Sequence, residues 1–163
     1  MSRQTTPIFR LATIDDIDRM HDLRMGVREN RLFSRDAVRR DEYVEMIERH
    51  GRGWVADEAG HIHGFSFGDA RDGNIWALFM WPESERRGFG RVLHARMVDW
   101  LFGTGLRVLW LGTDPETRAR RFYQTAGWRV VGPGAHGEVR MELTPSAWQA
   151  HRPNERHDTG RPE

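Results

Sequence analysis
The sequence predicts an α/β domain on a mixed, mostly antiparallel sheet. Three observations carry that expectation. Apolar runs of strand length alternate with glycine-containing turns over residues 53–81. Phe89, Leu93, Met97, Trp100 and Leu101 then recur at the spacing of one helical face. A strand, a helix and a strand follow over residues 107–131.

Taken in order, residues 9–11 read as a short first strand. Thr13, followed by Asp15 and Asp16, reads as a helix start with acidic residues in its first turn. Ile14, Ile17, Met20, Leu23 and Val27 continue that helix. Ser34 is placed to cap a second helix carrying Val38, Tyr43, Val44 and Ile47, ending near Gly51. Residues 53–57 and 61–68 form a hairpin about Glu58, Ala59 and Gly60, and Asp72–Gly73 turns the chain into a strand at 74–81. After the long helix, residues 107–111 read as a strand and 117–126 as a helix stopped by Gly127. Residues 128–131 and 138–143 close the sheet around Gly132, Pro133 and Gly134. One domain over residues 1–150 is expected, with a disordered polar tail over 151–163, where no large apolar residue remains.

The chemistry concentrates where the apolar strand meets Pro82 and a polar turn delivers Arg86, Arg87, Gly88, Gly90 and Arg91 to a helix start. A glycine turn opening a helix aims unpaired N–H groups at one spot, with the positive end of the helix dipole behind them. With arginines on both sides, the matching tenant is a phosphate or pyrophosphate.

Composition narrows the classes further. The chain has 163 residues and a formal net charge of +1, which gives no footing to a broad nucleic-acid or membrane-surface role. Its longest apolar run, residues 75–81, is far short of the about 20 residues of a membrane span. The polar start at residues 1–7 lacks the apolar core of a secretion signal, so a cytoplasmic protein is expected. Cysteine and lysine are both absent. Without them there is no disulfide, thiolate metal site, acyl-cysteine, Schiff base or Walker-type phosphate loop. His61 and His63 share a strand face without a third ligand at suitable spacing, so no metal is expected.

Two stretches together resemble the GNAT superfamily of acetyl-CoA-dependent N-acetyltransferases. One is Arg86–Arg87–Gly88–Phe89–Gly90–Arg91 after the strand; the other is Phe122–Tyr123 before Gly127–Trp128. The order of elements matches along nearly the whole chain. The resemblance implies a sheet of about six or seven strands flanked by about four helices. It implies that backbone groups of Leu78, Phe79 and Met80 pair with the pantetheine arm of acetyl-CoA. Backbone N–H groups of Arg86, Arg87, Gly88, Phe89, Gly90 and Arg91 would hold the diphosphate. Tyr123 would protonate the departing thiolate, a proton an ordinary phenol retains at neutral pH.

Three positions depart from the family pattern. Glu85 stands where glutamine or arginine is usual, Glu116 where many members carry asparagine, and Leu111 where some place a glutamate base. The base is therefore sought in the segments that border the acceptor pocket by family topology: Glu29, His136 and, third, Glu138. Trp76, on the cofactor strand, could wall that pocket. The expected reaction is direct attack by an amine on the bound thioester, with a small-molecule or peptide acceptor and a homodimer as the assembly many relatives form. A non-catalytic acyl-CoA-binding module is the alternative. A dinucleotide-binding fold using Gly88, Gly90 and Asp114 fails because Leu93 replaces the third glycine and too little chain follows.

Overall fold
The computed structural model describes residues 5–27 and 38–153. Two compact units divide the chain after Leu106.

The first unit holds four strands joined by antiparallel pairing: β1 (Ile8–Leu11), β2 (Gly51–Glu58), β3 (His61–Asp69) and β4 (Asn74–Met80). Its helices are α1 (Ile17–Val27), α2 (Arg40–Glu45), which runs on as a π-helical turn over Met46–His50, and α3 (Phe89–Gly103). A 3-10 turn over Ile14–Asp16 precedes α1. There the Asp16 carboxylate accepts from the Thr13 N–H at 2.8 Å, the second half of the start signal legible at Thr13. The Arg10 and Arg19 guanidiniums, each 2.8 Å from Asp16, hold that buried carboxyl below the usual range despite the cost of burial. The described part of the second helix opens at Arg40, with Glu42 accepting from the Arg39 N–H; the expected cap, Ser34, lies outside the described residues.

The two faces of β3 explain how helices cover both sides of this sheet. Phe65 and Phe67 are fully buried and join Met20, Leu23, Tyr43 and Met46 of α1 and α2 in one apolar cluster. On the other face stand Gly64, Ser66 and Gly68. A Cβ on Gly68 would lie 2.7 Å from the Leu101 side chain, and the Ser66 hydroxyl donates to the Leu93 carbonyl at 3.1 Å. Small residues there let α3 approach the sheet closely. Burial of Phe89, Leu93, Met97 and Leu101 then anchors α3, at about 1.5–3 kcal/mol for each side chain. Trp100, expected on that face, is half-buried and packs edge-on against Trp54 instead.

Two bulges interrupt the pairing. Between β2 and β3 the register steps from Ala56↔Gly64 to Asp57↔Ile62, so His63 is the additional residue. Between β3 and β4 it steps from Phe67↔Ala77 to Gly68↔Ile75, so Trp76 is the additional residue. A bulge turns one side chain away from strict alternation.

The second unit contains β5 (Leu109–Thr113), α4 (Arg118–Thr125), β6 (Arg129–Pro133), β7 (Val139–Leu143) and α5 (Pro145–His151). β7 pairs antiparallel with both β5 and β6. The Thr117 side chain caps α4 by accepting from the Arg120 N–H, as its position before an arginine-rich helical stretch suggests. α5 was not expected from the sequence. Thr144 caps it, Pro145 occupies its first turn, buried Trp148 secures it, and it includes His151, which was expected to begin the polar tail. The seven strands and the flanking helices agree with the predicted fold class.

Candidate active site
β4 ends at Met80, and Pro82 opens a 3-10 turn over Pro82–Arg87. Gly88 then takes a left-handed conformation, φ 83°, and α3 begins at Phe89. A Cβ at Gly88 would meet open space, so the demand for glycine there is conformational rather than steric. At Gly90 a Cβ would make ordinary contact with the Met80 side chain at 3.7 Å. The helix start is fixed by buried Phe89, while Arg86, Arg87 and Arg91 are exposed around it. Nine expected cofactor residues, Leu78, Phe79, Met80, Arg86, Arg87, Gly88, Phe89, Gly90 and Arg91, thus occupy one strand–turn–helix passage. Glu85, the acidic departure in the turn, is exposed.

A polar chain runs beneath this turn. His63 Nδ1 lies 2.7 Å from Ser84 Oγ, and His63 Nε2 lies 2.8 Å from Glu58 Oε1. Glu58 also accepts from the Thr5 hydroxyl at 2.6 Å and from Arg87 at 3.1 Å. These donors, Thr5 first and then His63 and Arg87, hold the Glu58 carboxyl down to about 2. The Arg87 guanidinium sits 4.7 Å over the Phe89 ring, so this arginine is shared between Glu58 and the helix start. In the sequence His63 stands only as half of a histidine pair without a third metal ligand. The usable signal was the hairpin itself, which sets His61 against Glu58 and leaves His63 near the same carboxylate.

On the α1 and α2 side of β4, Trp76 packs edge-on against Tyr43 at 5.2 Å and Phe67 at 5.6 Å. The Arg24 guanidinium lies 4.9 Å from both the Trp76 and Phe79 rings. His21 Nδ1 is 3.2 Å from the Tyr43 hydroxyl, whose pKa burial pushes up. A cleft of about 230 Å³ beyond Trp76 is lined by ionisable groups of both signs, among them Asp41, Glu45, His50 and Arg71. Glu29, the candidate base from this side of the chain, lies outside the described residues.

In the second unit Tyr123 is buried on α4, edge-on to Phe122 at 5.4 Å and to Trp128 at 5.6 Å. Burial pushes its phenol well above the ordinary value, so it keeps its proton at any neutral pH. Its carbonyl accepts from the N–H groups of Ala126 and Trp128, each at 3.0 Å, which ties the helix end to Gly127 and the next strand. His136 is exposed, in a left-handed conformation with φ 56°, within the 3-10 turn Ala135–Gly137 that links β6 to β7. Leu111 is buried on β5 opposite Met141. Glu138 is half-buried, and Glu116 is exposed. Among the described residues, no three metal-ligating side chains converge, and no helix is long and apolar enough to cross a membrane.

Known proteins show the same fold. The N-acetyltransferase PaiA of Thermoplasma acidophilum, solved in complex with coenzyme A, superposes with a TM-score of 0.73 at 14% identity, over 85% of this chain and 99% of that one. A GNAT-family acetyltransferase of Staphylococcus aureus gives 0.72 at 14% identity over the same shares. An aminoglycoside 6'-acetyltransferase of type Ii gives 0.69 at 19% identity, over 84% of this chain and 96% of that one. No curated protein sequence matches. The sequence profile described as the acetyltransferase (GNAT) family matches residues 16–128. The chain belongs to the GNAT family of acetyltransferases.

Proposed function
We propose that this protein transfers the acetyl group of acetyl-CoA to a primary amine of a small molecule or peptide by direct attack in a ternary complex. The carrying observation is the passage from β4 through the 3-10 turn and left-handed Gly88 into α3, with exposed arginines around the helix start. On this reading Leu78, Phe79 and Met80 offer backbone groups to the pantetheine arm, as one more strand would. The N–H groups from Arg86 to Arg91 receive the diphosphate, with the helix dipole adding to their pull.

The amine nitrogen attacks the thioester carbonyl carbon, whose oxygen gains charge and is stabilised by a strand N–H near Met80. As the tetrahedral intermediate collapses the C–S bond breaks, and the Tyr123 hydroxyl gives its proton to the leaving thiolate. Burial keeps Tyr123 protonated up to the moment of transfer but also makes its phenol a weaker acid, so the step needs the departing thiolate hydrogen-bonded to the hydroxyl as the C–S bond breaks. The amine proton leaves to a base, for which Glu29 and His136 are the candidates, directly or through water. For an amine of pKa about 10.4, deprotonation at pH 7 costs roughly 4–5 kcal/mol, so the base matters most for such acceptors. The similarity to an aminoglycoside acetyltransferase supports an amine acceptor as the class to test first.

The test is thiol release from acetyl-CoA against a panel of amines, beside calorimetry with coenzyme A. Turnover that falls in Tyr123→Phe, and that needs Glu29 or His136, is the expected result. Binding without turnover would make the protein an acyl-CoA-binding module, and absence of heat with coenzyme A at millimolar concentration would end the reading.

A further inference from the structure
We infer that His63 is a positioning residue for acetyl-CoA: with Glu58 and Ser84 it forms a clamp that holds the diphosphate turn, and with it the start of α3, in the shape that binds. The inference rests on the cofactor site proposed above and assigns a role that the family likeness does not supply.

His63 touches the strand–turn–helix passage at three successive points. Its carbonyl accepts from the Trp81 N–H at 3.0 Å, where β4 ends. Its Nδ1 meets the Ser84 hydroxyl at 2.7 Å in the middle of the 3-10 turn. Its ring lies 4.8 Å from that of Phe89, the first residue of α3. The bulge at this position is what permits the combination. As the additional residue between Ile62 and Gly64, His63 points to the α3 side while Ile62 joins the core under α1 and α2.

The orientation of the ring follows from its partners. Glu58 is an ionised carboxylate at neutral pH and accepts only, so Nε2 carries hydrogen toward it. In the neutral ring Nδ1 is then an acceptor, and the Ser84 hydroxyl donates to it. A serine, a histidine and a glutamate in this order could suggest a nucleophile. Ser84 is only 1% exposed, however, and no substrate carbonyl can reach its oxygen. The hydroxyl is better used as a buried peg. The 3-10 turn uses its own N–H groups, the Ser84 N–H donating to the Trp81 carbonyl at 2.9 Å. The N–H groups it offers a ligand are therefore the first ones of α3, and placing that helix start calls for ties beyond the turn's backbone. Side-chain bonds from a neighbouring strand meet that need, and Arg87, bonded to the same Glu58, adds a second tether.

The test compares the whole protein with His63→Phe, Ser84→Ala and His63→Gln. Phenylalanine keeps a ring against Phe89 and removes both hydrogen bonds, whereas glutamine keeps a donor for Glu58. The probes are coenzyme A by calorimetry, then acetyl-CoA and S-acetylpantetheine as thioesters with one amine acceptor. S-acetylpantetheine lacks the diphosphate. In His63→Phe and Ser84→Ala the Kd for coenzyme A and the KM for acetyl-CoA should rise about tenfold, with kcat unchanged. Turnover of S-acetylpantetheine should stay at the wild-type rate, and His63→Gln should fall between. A residue that mattered only to folding would lower both thioesters alike, and that result overturns the clamp. If His63→Phe does not fold, Ser84→Ala decides, because it deletes a single oxygen; an unchanged Kd there also overturns the clamp. Wild-type heat with unaltered variants removes the clamp alone, whereas no wild-type heat removes the cofactor site and the clamp together.

Discussion

The turn at residues 82–91 and the helix end around Tyr123 are held in opposite ways. Polar bonds from Glu58 and His63 pin the turn, and its arginines stay exposed. Tyr123 is held by rings and by desolvation, between Phe122 and Trp128. On the proposed roles the two settings suit different tasks. A diphosphate is matched by fixed donors in a wet, positive setting, whereas a desolvated phenol stays in its protonated form.

The sharpest way to break this comparison is Tyr123→Phe. On the proposed role, kcat should fall about a hundredfold or more while the KM for acetyl-CoA stays within about twofold, read by steady-state thiol release. A KM effect of the same size would mean that Tyr123 serves binding, and the contrast between the two regions would disappear.

The converse expectation belongs to Gly88, where φ is 83°. Gly88→Ala should cost about 1–2 kcal/mol of stability and raise the KM for acetyl-CoA by up to about tenfold, with kcat little changed. Denaturant unfolding and saturation kinetics measure the two parts. Gly90→Ala is the matched control for the fold, since its Cβ would make only an ordinary 3.7 Å contact. Its unfolding midpoint should match that of the wild type.

The smallest effect concerns acid. Burial holds His94 on α3 down to about 3 from an ordinary 6.5, so the folded protein keeps it neutral. The unfolded state takes up that proton first, and the stability His94 contributes is present above about pH 6.5 and is lost as pH falls toward about 3. Glu58 is a carboxylate held low, so its contribution is present above about pH 4.5 and is lost toward about 2. Denaturant unfolding at stepped pH should show the upper window flattened in His94→Leu and the lower one flattened in Glu58→Gln. Loss of the lower window alone should weaken coenzyme A binding, because only Glu58 bears on the turn.

Legibility tracked the range of the interactions. Helix starts at Thr13 and Thr117, the turn at Ala59 and Gly60, and the strand ending at Pro82 are local events, and each stood where periodicity and turn chemistry put it. α5 escaped because its cap, its proline and Trp148 lie in a short stretch whose apolar content is one residue. Trp100 has core spacing yet stays half-buried against the buried Trp54 of β2, because helix spacing specifies a face and not how deeply each residue on it is covered. Arg24 stands on α1 and the rings gathered about it come from α2 and β4, and no window of sequence contains them together.

By itself the sequence determined the α/β class, the order of elements, the glycine turn at a helix start and the helix that carries Phe122 and Tyr123. All of these depend on residues within a few positions of one another. Only the tertiary structure decided that His63 bridges Glu58 and Ser84, because that contact needs a strand register with a bulge in it. One residue more or less in the hairpin would turn the ring to the other face of the sheet.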